Sequence, residues 1–94
     1  MKISLKILLP MLSDAIGANK LELEFPGKTA GEMVTHIAKT FGKRAAAALY
    51  DKTGVLDLEV QVLINHKTWV TRENLDERLQ EGDRVQIMVM MGGG

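Results

Sequence analysis

The sequence predicts an α+β fold, a single mixed sheet with one main helix packed on one face and a short second helix beside it. Three observations carry that reading. Segments with apolar residues at every second position occur at both ends of the chain and in its third quarter. One capped amphipathic stretch lies between them. A single helix can bury only one face of one sheet, which leaves the other face open.

Ile3, Leu5, Ile7 and Leu9 alternate with Lys2, Ser4, Lys6 and Leu8. Successive strand side chains point to opposite faces, so this is a half-buried strand, ended by Pro10. Met11 to Asn19 reads as a connection, with Gly17 and Asn19 as turn formers. Leu21, Leu23 and Phe25 alternate with Lys20, Glu22 and Glu24 in a second strand, closed by Pro26-Gly27. Thr29-Ala30-Gly31-Glu32 fits a capping box, in which the threonine oxygen accepts a first-turn N–H and the glutamate reaches back to the cap. Met33, Val34, Ile37, Ala38 and Phe41 then recur at helical spacing, and Gly42 stops the helix that runs from about Thr29 to Phe41.

Ala45 to Ala48 favour a short second helix within Lys43 to Tyr50, because alanine is the best helix former. Asp51-Lys52-Thr53-Gly54 is a turn, and Val55 to Glu59 is ambiguous. Val60, Val62 and Ile64 mark a third strand. Asn65-His66-Lys67 turns it into a short strand around Thr68-Trp69-Val70. Asn74 to Gln80 is expected to form one helical turn, and Glu81-Gly82-Asp83 another turn. Arg84 to Met90 is the last strand, with Val85, Ile87 and Val89 on one face and Gln86, Met88 and Met90 on the other. The first two strands are expected to form a hairpin, and the first and last strands to lie parallel at the centre.

With 94 residues the chain suits one domain, read as residues 1–91 followed by a flexible glycine tail, 92–94. Lys+Arg and Asp+Glu each number 12. That balance argues against a nucleic-acid binder, which needs a basic excess. There is no cysteine, so disulfides, thiolate metal ligands and cysteine nucleophiles are excluded. The N-terminus is interrupted by Lys2 and Lys6, unlike a signal peptide. No segment is long and apolar enough for a bilayer. A cytoplasmic location without a membrane partner is expected. His36 and His66 lack metal-ligand spacing, so no metal site is expected. His36 is placed on the solvent side of its helix and Trp69 at the sheet edge as a packing residue. Glu73, Asp76, Glu77 and Arg78 read as a solvated face, and no nucleophile–base pairing has supporting spacing.

Several segments together resemble the sulfur carriers of the β-grasp, ubiquitin-like fold: the molybdopterin synthase small subunit and the thiamine-pathway sulfur carrier. Leu9 to Gly17 resembles the loop after the first strand in the molybdopterin group. Gly27-Lys28-Thr29 sits at the start of the family's helix, and Val62-Leu63-Ile64-Asn65 resembles the strand entering its tight turn. Leu79-Gln80-Glu81-Gly82-Asp83-Arg84-Val85 resembles a leucine-x-x-glycine-aspartate-x-valine run, and Gly93-Gly94 a terminal diglycine. Length and the alanine-rich helix favour the molybdopterin-type branch. Two departures stand out. His66 occupies a position where the family often has glycine, which accepts positive φ more readily and so leaves the turn type open. The tail reads Met90-Met91-Gly92-Gly93-Gly94 where the family often carries proline, so a tungsten-pterin route is an alternative.

The resemblance implies a carrier rather than an enzyme. The carboxylate of Gly94 would be adenylated with ATP and magnesium by an E1-like adenylating enzyme and converted to a thiocarboxylate that donates sulfur in molybdenum cofactor biosynthesis. A larger synthase subunit or another sulfur-accepting enzyme would take that sulfur, with this chain as its accessory small subunit. An α-carboxyl group titrates at about 3.5 and is anionic at neutral pH. Gly92, Gly93 and Gly94, extended, reach roughly 10 Å and lack the Cβ atoms that would block a narrow channel. This chain has no phosphate-binding glycine loop followed by lysine, so no cofactor is expected on it. Leu8, Leu63, Met88, Met90 and Met91 are expected to dock the partners on the open sheet face, methionine being suited to irregular surfaces. Two alternatives remain: a ubiquitin-like modifier joined to lysines through Gly94, and a non-covalent β-grasp interaction module with an inert tail.

Overall fold

The computed structural model describes residues 1–90. It contains strands β1 (Lys2–Leu8), β2 (Lys20–Glu24), β3 (Val60–Ile64), β4 (Thr68–Val70) and β5 (Arg84–Val89), with helices α1 (Pro10–Ile16), α2 (Ala30–Phe41) and α3 (Lys43–Leu49). The strands form one five-stranded mixed sheet in the order β2-β1-β5-β3-β4. β1 and β2 form the expected antiparallel hairpin, and β1 runs parallel to β5 at the centre. This is the architecture of the β-grasp, ubiquitin-like fold.

Alternation in the sequence becomes two faces. Ile3, Leu5, Ile7, Val62, Ile64, Val85 and Ile87 point inward, where they share one core cluster with Leu12, Met33, Val34, Ile37 and Leu49 from the helices. All three helices therefore cover the same sheet face. Their joint burial supplies most of the folding drive, at about 25 cal/mol per Å² of apolar surface.

The long helix starts as its capping box predicts. Thr29 Oγ1 accepts from the Glu32 N–H at 3.1 Å. The Glu32 carboxylate accepts from the Lys28 N–H at 3.1 Å, one residue before the cap rather than at the cap itself. Those contacts hold the Glu32 carboxyl below its ordinary range, the Lys28 N–H first and the Thr29 hydroxyl second.

Two expectations need correction. The Met11–Asn19 connection contains α1, which starts with Pro10 in its first turn and ends on Gly17 at φ 85°. Leu9 in the N-cap position makes no side-chain cap, so the usual helix-start signal is missing. Fully buried Leu12 anchors the helix instead. The helical turn expected over Asn74–Gln80 is replaced by two successive hydrogen-bonded turns, Asn74 N–H to the Thr71 carbonyl at 3.2 Å and Glu77 N–H to the Asn74 carbonyl at 3.1 Å. Asn74 Oδ1 accepts from the Thr71 N–H at 2.9 Å, so the asparagine closes a turn instead of joining a helix. The ambiguous segment resolves around Leu56, which is buried and bridges Tyr50.

Candidate functional site

The sheet face away from the helices is built by cross-strand registers. Leu8 lies beside Met88, and Met88 faces Gln61. One row towards the other end, Lys20, Lys6, Gln86, Leu63 and Trp69 stand in line across all five strands. The next row holds Glu22, Ser4 and Arg84.

Of the expected docking residues, Leu8, Leu63, Met88 and Met90 can be placed on the described surface. Leu8 is 45% exposed and Met90 51%, and Met88 lies half-buried between its strand neighbours. Leu63 shares the face but is only 9% exposed, because Gln86 and Trp69 flank it on both sides. It forms the recessed floor of the stripe. Trp69, read as an edge packing residue, is 50% exposed and joins the stripe. Its nearness to Leu63 follows from the β3–β4 hairpin pairing. His36 is half-buried, with its ring 6.2 Å from that of Phe25, rather than on the open side of its helix.

β1 and β5 run parallel, so Leu8, Met88 and Met90 all cluster at one end, where the chain leaves β5. The Met90 N–H donates to the Glu59 carbonyl at 2.7 Å and fixes that exit. Met91, Gly92, Gly93 and Gly94 lie outside the described residues.

The opposite end is locked by the Leu79–Val85 run. Both Glu81 carboxylate oxygens accept from the Lys2 N–H, at 3.1 and 3.2 Å. Gly82, at φ 84°, donates its N–H to the Lys2 carbonyl at 2.8 Å. Asp83 Oδ2 accepts from the Gln80 N–H at 2.8 Å, and its Oδ1 accepts from Asn65 Nδ2 at 2.9 Å. Asn65 Oδ1 in turn accepts from the Arg84 N–H at 2.9 Å. The β3–β4 turn is thereby tied to β5, with Asn65 at φ 53° and His66 at φ 58°. Both central residues of the turn are left-handed, the type I′ geometry that suits a two-residue hairpin.

Among the described residues, no group of three or more His, Asp or Glu side chains is placed to hold a metal. No helix among them is long and apolar enough to cross a membrane. A groove of about 840 Å³ runs beside the start of α2, between Phe25, His36, Tyr50 and Leu75. Of its two carboxylates, Glu32 and Asp76, Glu32 is engaged in capping.

Comparison with solved structures agrees on the fold. SAMP1 (small archaeal modifier protein 1) from Haloferax volcanii superposes with a TM-score of 0.78 at 18% identity, covering 100% of each chain. The Amycolatopsis orientalis BexX/CysO complex gives 0.71 at 22% identity, covering 98% of this chain and 99% of that one. Urm1 from Trypanosoma brucei gives 0.70 at 22% identity, covering 99% and 95%. No curated protein sequence matches. The ThiS family model matches residues 12–94, from the buried anchor of α1 through the last glycine. The solved structures share its ubiquitin-like fold, and the chain therefore belongs to the ThiS family.

Proposed function

We propose that this protein is a sulfur carrier whose reactive group is the carboxylate of Gly94. An E1-like adenylating enzyme, using ATP and magnesium, joins that carboxylate to AMP and releases pyrophosphate. A sulfur donor then displaces AMP and leaves a thiocarboxylate. The acceptor is a larger synthase subunit or comparable enzyme, with molybdopterin or tungsten-pterin assembly as the leading pathway. The chain contributes the carboxylate and the surface that presents it, and the partners contribute the catalytic groups.

The observation that supports this most is the placement of Leu8, Met88 and Met90 at the end of the sheet from which the chain leaves β5, with Trp69 one row further in. A partner seated on that stripe would receive the residues after Met90 directly.

Intact mass after incubation with a candidate adenylating enzyme, ATP and a sulfur source tests it. A gain equal to sulfur replacing oxygen, confined to Gly94 by fragmentation, is expected. No gain with any active adenylating partner, or a natural polypeptide that continues past Gly94 uncleaved, rejects it. A second reading is conjugation to lysines as a protein modifier, favoured by the name of the SAMP1 structure. Higher-mass conjugates on a denaturing gel, lost on deletion of Gly93-Gly94, would select it.

A further inference from the structure

A second groove, about 460 Å³, lies on the open sheet face at the end away from Met90. Lys6, Lys20, Arg84 and His66 line it, with Glu22 as its one carboxylate. The whole chain balances its charges at 12 and 12, so three cations against one anion is a local segregation. Lys6 and Lys20 stand directly opposite each other in the β1–β2 register. Like charges so placed destabilise a sheet. Among the described residues the ion pair within 4.0 Å is Arg72–Asp51, on another part of the molecule, so Glu22 relieves neither lysine by contact.

The fourth wall carries an independent sign. His66 sits in left-handed backbone that a β-carbon disfavours, and the Asp83–Asn65–Arg84 hydrogen bonds hold it there. The turn thus brings an imidazole to the groove's wall at a position where glycine would be the easier residue. Lysine on an edge strand such as β2 also deters edge pairing. Lys6, on the second strand, and Arg84, on the central one, have no such role.

We infer that this groove receives carboxylate side chains of the protein that docks on the neighbouring apolar stripe, so that the partner surface is apolar at one end and acidic at the other. The inference rests on the docking reading above and adds the partner's charge to it. Opposed charges would steer encounter and fix the orientation in which the Gly94 end is presented.

The test is an amide-resolved NMR titration of the full chain with tetraglutamate, with tetraglutamine and inorganic phosphate as controls. Shifts are expected at Lys6, Lys20, His66 and Arg84 with tetraglutamate, weakened by salt at about 0.3 M. The Lys6→Gln/Lys20→Gln protein, which relieves the repulsion and so should fold, is expected to bind about fivefold more weakly. Shifts spread evenly over the surface lysines, or equal with tetraglutamine, overturn the inference. Phosphate acting as strongly as the peptide at the same four residues also overturns it, in favour of a small-anion site. With an adenylating enzyme that passes the mass test, the double variant should associate about tenfold more slowly at low salt. Met88→Asp should abolish binding at any salt. A silent double variant beside an effective Met88→Asp removes the groove and keeps the docking face. Silence of both removes the docking face as well.

Discussion

Asp51 shows how one side chain organises a turn. Its Oδ1 accepts from the Thr53 hydroxyl at 2.6 Å and the Thr53 N–H at 2.8 Å, and Arg72 Nη2 donates to Oδ2 at 2.5 Å. The Thr53 hydroxyl first, then the Thr53 N–H, hold its carboxyl at about 2 instead of the ordinary 3.8. A carboxyl lowered on folding contributes stability that is complete above the ordinary value and is lost as pH falls through the folded one. Melting temperature is therefore expected to fall from about pH 4 to pH 2, and Asp51→Asn should flatten that segment. An unchanged acid limb in the variant would assign the loss to other groups. His66 makes a different residue-scale case. Replacing it with glycine removes a left-handed β-carbon and should stabilise the fold by about 1 kcal/mol, read from denaturant midpoints. The same change should weaken tetraglutamate binding, separating what the turn prefers from what the groove uses.

At the scale of elements, helix starts were legible where a side chain signals them. Thr29 and Glu32 announce α2 because capping is a contact between residues three apart. α1 sends no such signal. It has seven residues, starts after Leu9, and is too short to be stable by propensity alone. Its stability comes from Leu12, whose burial depends on α3 and β1 being in place. Leu12→Ala should therefore cost about 2–5 kcal/mol, large for so short a helix. A loss under about 1 kcal/mol in chemical denaturation would mean that α1 is held by its backbone and not by its anchor.

For the whole molecule, the proposed separation of core and reactive end matters most. Among the described residues, the core cluster draws on all five strands and all three helices. Deleting Gly93-Gly94 should leave the melting temperature unchanged while removing sulfur loading or conjugation. A large fall in melting temperature would place those glycines in the structural framework and count against a presented terminus. The helices lie on one face and the bare sheet on the other: one side holds the domain together, and the other is the face proposed to meet partners.

Side-chain direction in a strand is a local property. The sequence by itself therefore determined which residues face the helices and which face outward, together with the order of strands and the main helix. It assigned Leu8, Met88 and Met90 to the open face, and their cross-strand placement agrees. Tertiary structure alone decided which outward residues are neighbours. Leu63 is recessed because Trp69 and Gln86 flank it, and Lys6, Lys20, Arg84 and His66 surround one groove because four separated segments pair in one register. No local pattern encodes that register. It follows from packing Ile3, Leu5, Val85 and Ile87 under the helices, which sets each strand against the next and carries the outer face with it.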